Sequence, residues 1–219
     1  NTQRTLLADA DLRAAIAGAI DRETIATGYL AGHAEAARFP LSPRAKLYPE
    51  ELAATLASPE LSSALEAAGV TADRPRSLTI LVSESDSFKV SIADYLSRAL
   101  TTDGLTVTVR ALPWSDYLTA LQSGNFDLYL GEVRLTADWN IASLVGAGGA
   151  LNYGRYADEQ CDTLLAAFLA NETAQTASAL CRYLGQNAPI APIAFKTASV
   201  LTPEGLIAVS YTHLRAHET

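Results

Sequence analysis

The residues best suited to bind a charged ligand lie in one loop, from residue 131 to residue 140. In this loop Asp138 directly precedes Trp139. A carboxylate pairs with an ammonium group, and the face of an indole ring attracts the same cation. The pair therefore predicts a site for a cationic amine. The sequence also leaves open that Asp138 caps a helix starting at Trp139.

Further polar residues accompany this pair. Glu132 and Arg134 are two positions apart on a segment that we expect to be extended, so their side chains point to the same side. They either bind the two charges of a zwitterionic ligand or form a salt bridge at a strand end. Asn152 and Tyr153 either donate hydrogen bonds to a ligand or anchor their own loop.

The composition excludes several other kinds of site. The chain has 24 acidic and 16 basic residues, a formal net charge of -8, which argues against nucleic acid as a partner. Two of its three histidines, His213 and His217, lie in the last seven residues, so we expect neither a metal site nor a histidine-based triad. Gly146, Gly148 and Gly149 match no phosphate-loop pattern. The sequence thus predicts no catalytic residue, metal ligand or cofactor.

Alternating strands and helices position the 131–140 loop. We expect strands at 78–82, 105–109 and 126–130, separated by a helix over 87–102 and another starting at Pro113. This succession predicts an α/β fold with a mostly parallel sheet flanked by helices. Ligands of such sheets bind beyond the carboxyl ends of the strands, which for the third strand is the 131–140 loop. Trp114, at the start of the second helix, is expected to pack in the core or against its own helix.

The rest of the chain is expected to be mainly helical. The patterns predict helices over 12–20, 49–57, 59–68, 157–170 and 173–187, a loop over 31–49, and a last strand over 193–201. Asp9 or Asp11 caps the first of these helices.

The two cysteines fall on the predicted helical hairpin. Cys161 and Cys181 each lie ten residues from Asn171, so both stand about 15 Å from the turn, at the same level. They can therefore face each other. An oxidising compartment would allow a disulfide between them. Two buried free thiols are the alternative.

Several motifs occur in a fixed order along residues 1–207. They are ADLRAAIAGAIDRETI at 10–25, SDYLTALQSGNFDLYLGE at 115–132, LNYGRYADEQCDTLLAAF at 151–168 and NAPIAPIAF at 187–195. Together they resemble the C-terminal part of the family 5 extracytoplasmic solute-binding proteins, which serve ABC importers of peptides, nickel chelates and related solutes. The resemblance implies that residues 1–188 are one lobe of a two-lobed periplasmic-binding-protein-like clamshell. Residues 189–208 would then hold the strand that returns to the N-terminal lobe.

The resemblance also bears on the site. In this family the loop after the third strand has a Gly-Trp pair followed by Ala-Asp-Tyr, whose aspartate can pair with a ligand ammonium. Residues 137–139 match the second element with Trp139 in place of tyrosine, whereas Glu132 replaces the first tryptophan. Asn152 and Tyr153 match the family's Asn-Tyr element. By this resemblance, Asp138 binds the ligand.

The function implied is capture of a peptide or a similar polar or cationic solute outside the membrane, without enzyme chemistry. The protein would be a monomer in the periplasm, or lipid-anchored at the outer face of the cell membrane, and would deliver its solute to ABC permease subunits. The alternatives are an α/β enzyme or a ligand-sensing domain that uses the 131–140 loop.

Three features indicate a fragment. The chain has no methionine, and it begins just before a family motif. Its last eleven residues, VSYTHLRAHET at 209–219, resemble a translated sequencing adaptor. We therefore expect the natural sequence to end near Ala208.

Overall fold

The structure, a computed structural model, describes residues 1–197. The strands are β1 Ala34–Ala36, β2 Arg76–Ser83, β3 Leu105–Leu112, β4 Leu128–Tyr129 and β5 Ala194–Lys196. The helices are α1 Ala10–Gly18, α2 Arg22–Thr24, α3 Glu50–Thr55, α4 Leu61–Ala67, α5 Ser87–Leu100, α6 Trp114–Ser123, α7 Ala142–Val145, α8 Glu159–Ala170 and α9 Ala174–Asn187. A 3₁₀ turn at Thr5–Ala8 precedes α1, and α2 continues as a π-helical turn at Ile25–Tyr29. No helix within this part of the chain is both long and apolar enough to cross a membrane.

A three-stranded parallel sheet has β2 at its centre, with β3 on one side and β4 on the other. The β2–β3 pairing runs from Arg76 opposite Leu105 to Ser83 opposite Leu112. The shorter β4 pairs only through Leu128 and Tyr129. The predicted mixed fold of a parallel sheet flanked by helices is thus confirmed, although the third strand is shorter than the five residues expected.

The sheet is buried on both faces, which explains the apolar run in β2. Leu78, Ile80 and Val82 point into one core, where α5 packs, whereas Leu81 points into a second core with Tyr117 of α6. Burying each such side chain contributes about 1.5–3 kcal/mol. These contacts fix α5 and α6 against the sheet.

Local signals set the helix ends. The Asp9 carboxylate accepts hydrogen bonds from the backbone N–H groups of Asp11 and Leu12, so Asp9 is the cap of α1. Asp86 caps α5 in the same way. The α6 helix ends at Gly124, whose φ of 71° is a conformation that glycine adopts readily.

The α8–α9 hairpin encloses a separate core. Cys161 and Cys181 are both fully buried in it, beside Phe168 and Leu180. Both are free thiols in the structure. Burial raises the pKa of Cys161 to about 11 and that of Cys181 to about 12. The spacing argument therefore placed both cysteines in one core, and the bond between them stays a prediction.

A two-stranded antiparallel sheet joins distant parts of the chain. β1 pairs with β5, with Ala34 opposite Lys196 and Ala36 opposite Ala194. The prediction of a loop over 31–49 was wrong at β1, because this strand forms by pairing with a segment about 160 residues away. Of the strand predicted at 193–201, the structure describes only the part up to residue 197. Residues 198–208 and the adaptor-like tail at 209–219 lie outside the described residues.

Candidate ligand-binding site

The three parallel strands end at one edge of the sheet, at Ser83, Leu112 and Tyr129. The chain continues from these strands into α5, into α6 and into the 131–140 loop. Because ligands bind beyond the carboxyl ends of parallel strands, this edge is the candidate site. We call it the carboxyl edge.

Glu132 is at the centre of an ion-pair network on this edge. Its Oε2 accepts a hydrogen bond from Lys196 Nζ at 2.7 Å and lies 3.0 Å from Lys89 Nζ. Lys89 also donates to Asp86 Oδ2 at 2.6 Å. The network thus connects the 131–140 loop to the start of α5 and to β5.

The network shifts the pKa values of its members. The hydrogen bond from Lys196 is the largest cause that lowers the pKa of Glu132 below its usual value. Burial lowers the pKa of Lys89, but its hydrogen bonds to Asp86 and Glu132 outweigh this, so the net shift is upward. Both groups are therefore charged at neutral pH.

Arg134 does not share this network. The sequence left open a salt bridge between Glu132 and Arg134, whereas in the structure Glu132 pairs with the two lysines. Arg134 is exposed and forms no ion pair with any residue from 1 to 197. Its guanidinium is consequently accessible to an anionic group of a ligand.

Asp138 is exposed at the far end of the loop. Its Oδ1 accepts hydrogen bonds from the Thr136 hydroxyl and from the backbone N–H of Asn140. These bonds, that from Thr136 first, lower the pKa of Asp138. The alternative that Asp138 caps a helix at Trp139 is wrong: α7 begins at Ala142, whose N–H binds the Asn140 side chain.

Trp139 is less accessible than its neighbour. Its ring packs edge-on against Phe195, with centroids 5.8 Å apart, and borders the α8–α9 core. Its backbone has a φ of 54°, which costs a non-glycine residue about 1–3 kcal/mol. An aromatic pair of this kind contributes about 0.5–1.5 kcal/mol of stabilisation. The indole therefore serves mainly to hold the loop against β5.

Asn152 and Tyr153 differ in their roles. The Asn152 side chain donates to the carbonyls of Gly146 and Tyr156 and accepts from the Tyr156 N–H, so it anchors its own loop. The ring of Tyr153 packs edge-on against Tyr129 of β4, with centroids 6.2 Å apart. Only Tyr153 is thus placed directly against a strand of the parallel sheet.

Exposed apolar side chains follow the same edge, and no local sequence pattern predicts their exposure. Phe88, Trp114 and Val133 are 62%, 57% and 41% exposed. Each follows the end of a different parallel strand. Of the two placements predicted for Trp114, the core is wrong and packing against its own helix is confirmed: its ring stacks on Tyr117 of α6, with centroids 5.6 Å apart.

Two contacts connect the segments that carry these apolar residues. The Tyr117 hydroxyl, below Trp114, donates to the Leu130 carbonyl at 3.1 Å, which ties α6 to the start of the loop. Lys89, next to Phe88, reaches Glu132, next to Val133. Exposed apolar residues on connected segments of one sheet edge suit contact with a ligand.

Within residues 1–197, no group of three or more histidine, cysteine, aspartate or glutamate residues is placed to hold a metal ion. The carboxyl edge instead offers apolar surface, an accessible carboxylate at Asp138 and an accessible guanidinium at Arg134. This combination suits a ligand that carries charged and apolar groups together.

A family model, that of the bacterial extracellular solute-binding proteins, family 5 (middle region), matches residues 1–146, about two thirds of the chain. The chain belongs to this family. The match contains β2, β3, β4 and the whole 131–140 loop. It ends at α7, before Asn152 and Tyr153.

Solved structures share the fold. The murein tripeptide binding protein MppA of Escherichia coli has a TM-score of 0.72 at 23% identity, over 90% of this chain and 41% of its own. The oligopeptide-binding protein AppA of Bacillus subtilis, in complex with a nonapeptide, scores 0.73 at 18% identity, over 90% and 43%. NikZ of Campylobacter jejuni, in complex with Ni(L-His), scores 0.71 at 20% identity, over 90% and 43%.

At these identities the likeness establishes the fold, which is that of periplasmic binding proteins. The chain spans about two fifths of the length of these structures. A comparison with curated protein sequences found no match.

Proposed function

We propose that this chain is part of the substrate-binding component of an ABC importer. It captures a peptide, or a similar polar or cationic solute, outside the membrane and delivers it to the permease without enzyme chemistry. Membership of family 5 carries this proposal. It also favours solute capture over the enzyme and sensing alternatives.

In this proposal, residues 1–188 are the C-terminal lobe of a monomeric clamshell, and residues 189–208 return toward the other lobe. The protein works in the periplasm, or lipid-anchored at the outer face of the cell membrane. Two structural relatives are described as binding a tripeptide and a nonapeptide, and a third as binding Ni(L-His). These are the solute classes to test first.

The carboxyl edge supplies the contacts from this lobe. Asp138 pairs with a ligand ammonium, and Arg134 pairs with a ligand carboxylate, since both side chains are exposed. Phe88 and Trp114 contact apolar groups, and Tyr153 lines the wall nearest β4. Trp139, Glu132 and Asn152 act indirectly by holding the loops in position.

Titration of isotope-labelled chain with a tripeptide, followed by NMR, tests this function. A single lobe offers part of the contacts, so we expect a Kd of about 1 mM or weaker. The shifted resonances should cluster at Phe88, Trp114 and residues 131–140. Binding that shifts resonances elsewhere, or no binding of peptides or nickel–histidine chelates at any concentration, would contradict the proposal.

A further inference from the structure

A small cavity of about 20 Å³ lies where the end of α1, the start of α2 and the end of α9 meet. Two guanidinium groups, of Arg22 and Arg38, line it. None of its thirteen lining residues is acidic. It shares no residue with the candidate ligand-binding site. The chain has a net charge of -8, yet two positively charged side chains line this cavity and no carboxylate does.

The Arg22 side chain is fixed by neutral oxygen atoms. Its Nε donates to the Pro192 carbonyl at 2.8 Å and its Nη1 to the Ile20 carbonyl at 3.2 Å. Burial, and after it the nearby charge of Arg38, lower the pKa of Arg22 to about 10. The two positive charges therefore repel each other.

The Arg38 side chain is fixed in a similar way. Its Nη1 donates to the Ala53 carbonyl at 3.0 Å and its Nη2 to the Ser58 hydroxyl at 2.9 Å. Neither arginine forms an ion pair with a residue between 1 and 197. Arg22 Nη2 and Arg38 Nε have no protein acceptor in this range and are not sealed from solvent, so both can donate to a dissolved ion.

We propose that Arg22 and Arg38 bind one small monovalent anion from solvent, a halide ion such as chloride, in this cavity. Two positive charges without a counter-ion repel each other, and an anion between them would offset this repulsion and accept from their remaining donors. Guanidinium groups suit this task because their charge is permanent and their donors are fixed in a plane. A cavity of about 20 Å³ has room for a single atom-sized ion.

The walls of the cavity support a built site. Gly18 and Gly185 both line it, and an added methyl group would approach Ser58 Cβ from Gly18, and Leu56 Cδ2 from Gly185, to 2.4 Å. Both glycines are therefore closely packed against neighbouring side chains, and a larger residue at either position would not fit. Because Arg22 also holds the Pro192 carbonyl, the bound ion would stabilise the segment that leads into β5.

Thermal unfolding of the 219-residue chain tests the proposal. The unfolding midpoint would be compared between a chloride buffer and a gluconate buffer at the same ionic strength of about 0.2 M. Gluconate is the control anion because it is too large for the cavity. We expect the midpoint to rise by about 2–4 °C. The rise should be lost in Arg38→Gln and kept in Arg98→Gln, which removes the same charge from an exposed position on α5. Equal responses of the unaltered chain and Arg38→Gln would overturn the proposal.

A second measurement uses the unaltered chain, because Arg38→Gln also removes the bonds to Ala53 and Ser58. Crystals soaked in sodium bromide should show an anomalous scattering peak about 3.3 Å from both guanidinium groups. A cavity without such a peak would exclude the anion site, whatever the variants do.

Discussion

The carboxylate of Glu132 and the ammonium group of Lys196 form a hydrogen-bonded ion pair of 2.7 Å, although 64 residues separate them in the sequence. Glu132 lies in the loop that follows the parallel sheet, and Lys196 lies on β5 of the other sheet. The pair therefore connects the candidate ligand-binding loop to β5. Lys89, 3.0 Å from the same oxygen, extends the connection to α5.

Glu132→Gln should lower the free energy of unfolding modestly. The variant loses two ion pairs whose side chains are between about a quarter and a half exposed, and exposed pairs contribute about 0.2–1 kcal/mol each. Urea denaturation at low ionic strength measures the loss, which should shrink in high salt. Glu84→Gln, at an exposed position, is the matched control and should have no measurable effect. A similar loss in both variants would show that net charge, rather than the network, is responsible.

The contribution of Glu132 should depend on pH with a defined sign. Its pKa is lower in the folded chain, mainly because of the hydrogen bond from Lys196, so the folded state favours the ionised form. The stabilisation is present in full above the unfolded pKa of about 4.3 and is lost as pH falls through the lower folded value. The stability difference between the unaltered chain and Glu132→Gln should therefore be constant near neutral pH and disappear in acid. A difference that grows as pH falls would contradict the ion-pair assignment.

Local patterns in the sequence were enough to predict the parallel sheet. The apolar run at 78–82 is buried on both faces, and the Asp9 cap depends only on the residues that follow it. β1 was missed because Ala34–Ala36 has no strand signal of its own and forms by pairing with β5.

The candidate site was predicted only in part, because local patterns do not show contacts between segments that are distant in sequence. The loop and the accessible Asp138 follow from the strand order, whereas the partners of Glu132 come from α5 and β5. Within a few residues of Glu132, the sequence contains only Arg134 as a possible ion-pair partner. Exposure of Trp114 is likewise a property of the tertiary structure: Pro113 marks the helix start, but nothing nearby in sequence shows which face is left uncovered.

The two tryptophans should respond differently to alanine substitution. Trp139→Ala removes a half-buried ring that packs against Phe195, so we expect a loss of about 1–3 kcal/mol in the free energy of unfolding. Trp114→Ala removes a largely exposed ring and should cost less than about 1 kcal/mol, while weakening tripeptide binding.

Urea denaturation and NMR titration of the two variants separate stability from binding. Acrylamide quenching adds an independent check on the unaltered chain. Acrylamide should quench the fluorescence of Trp114 more strongly than that of Trp139. The Trp114→Phe variant keeps only Trp139 and so separates the two signals. The interpretation of Trp114 as a ligand contact would be wrong if Trp114→Ala left peptide binding unchanged.

The state of the cysteines can be counted directly. Both thiols are buried, and burial raises their pKa values to about 11 and 12, so at pH about 8 neither should react with a thiol reagent in the folded chain. If both cysteines are free thiols, as in the structure, unfolding in denaturant without reductant should expose two reactive thiols. No reactive thiol before reduction and two after it would instead establish the disulfide that the spacing of Cys161 and Cys181 allows. Fast labelling of the folded chain would contradict both states, because each keeps the sulfur atoms inside the α8–α9 core.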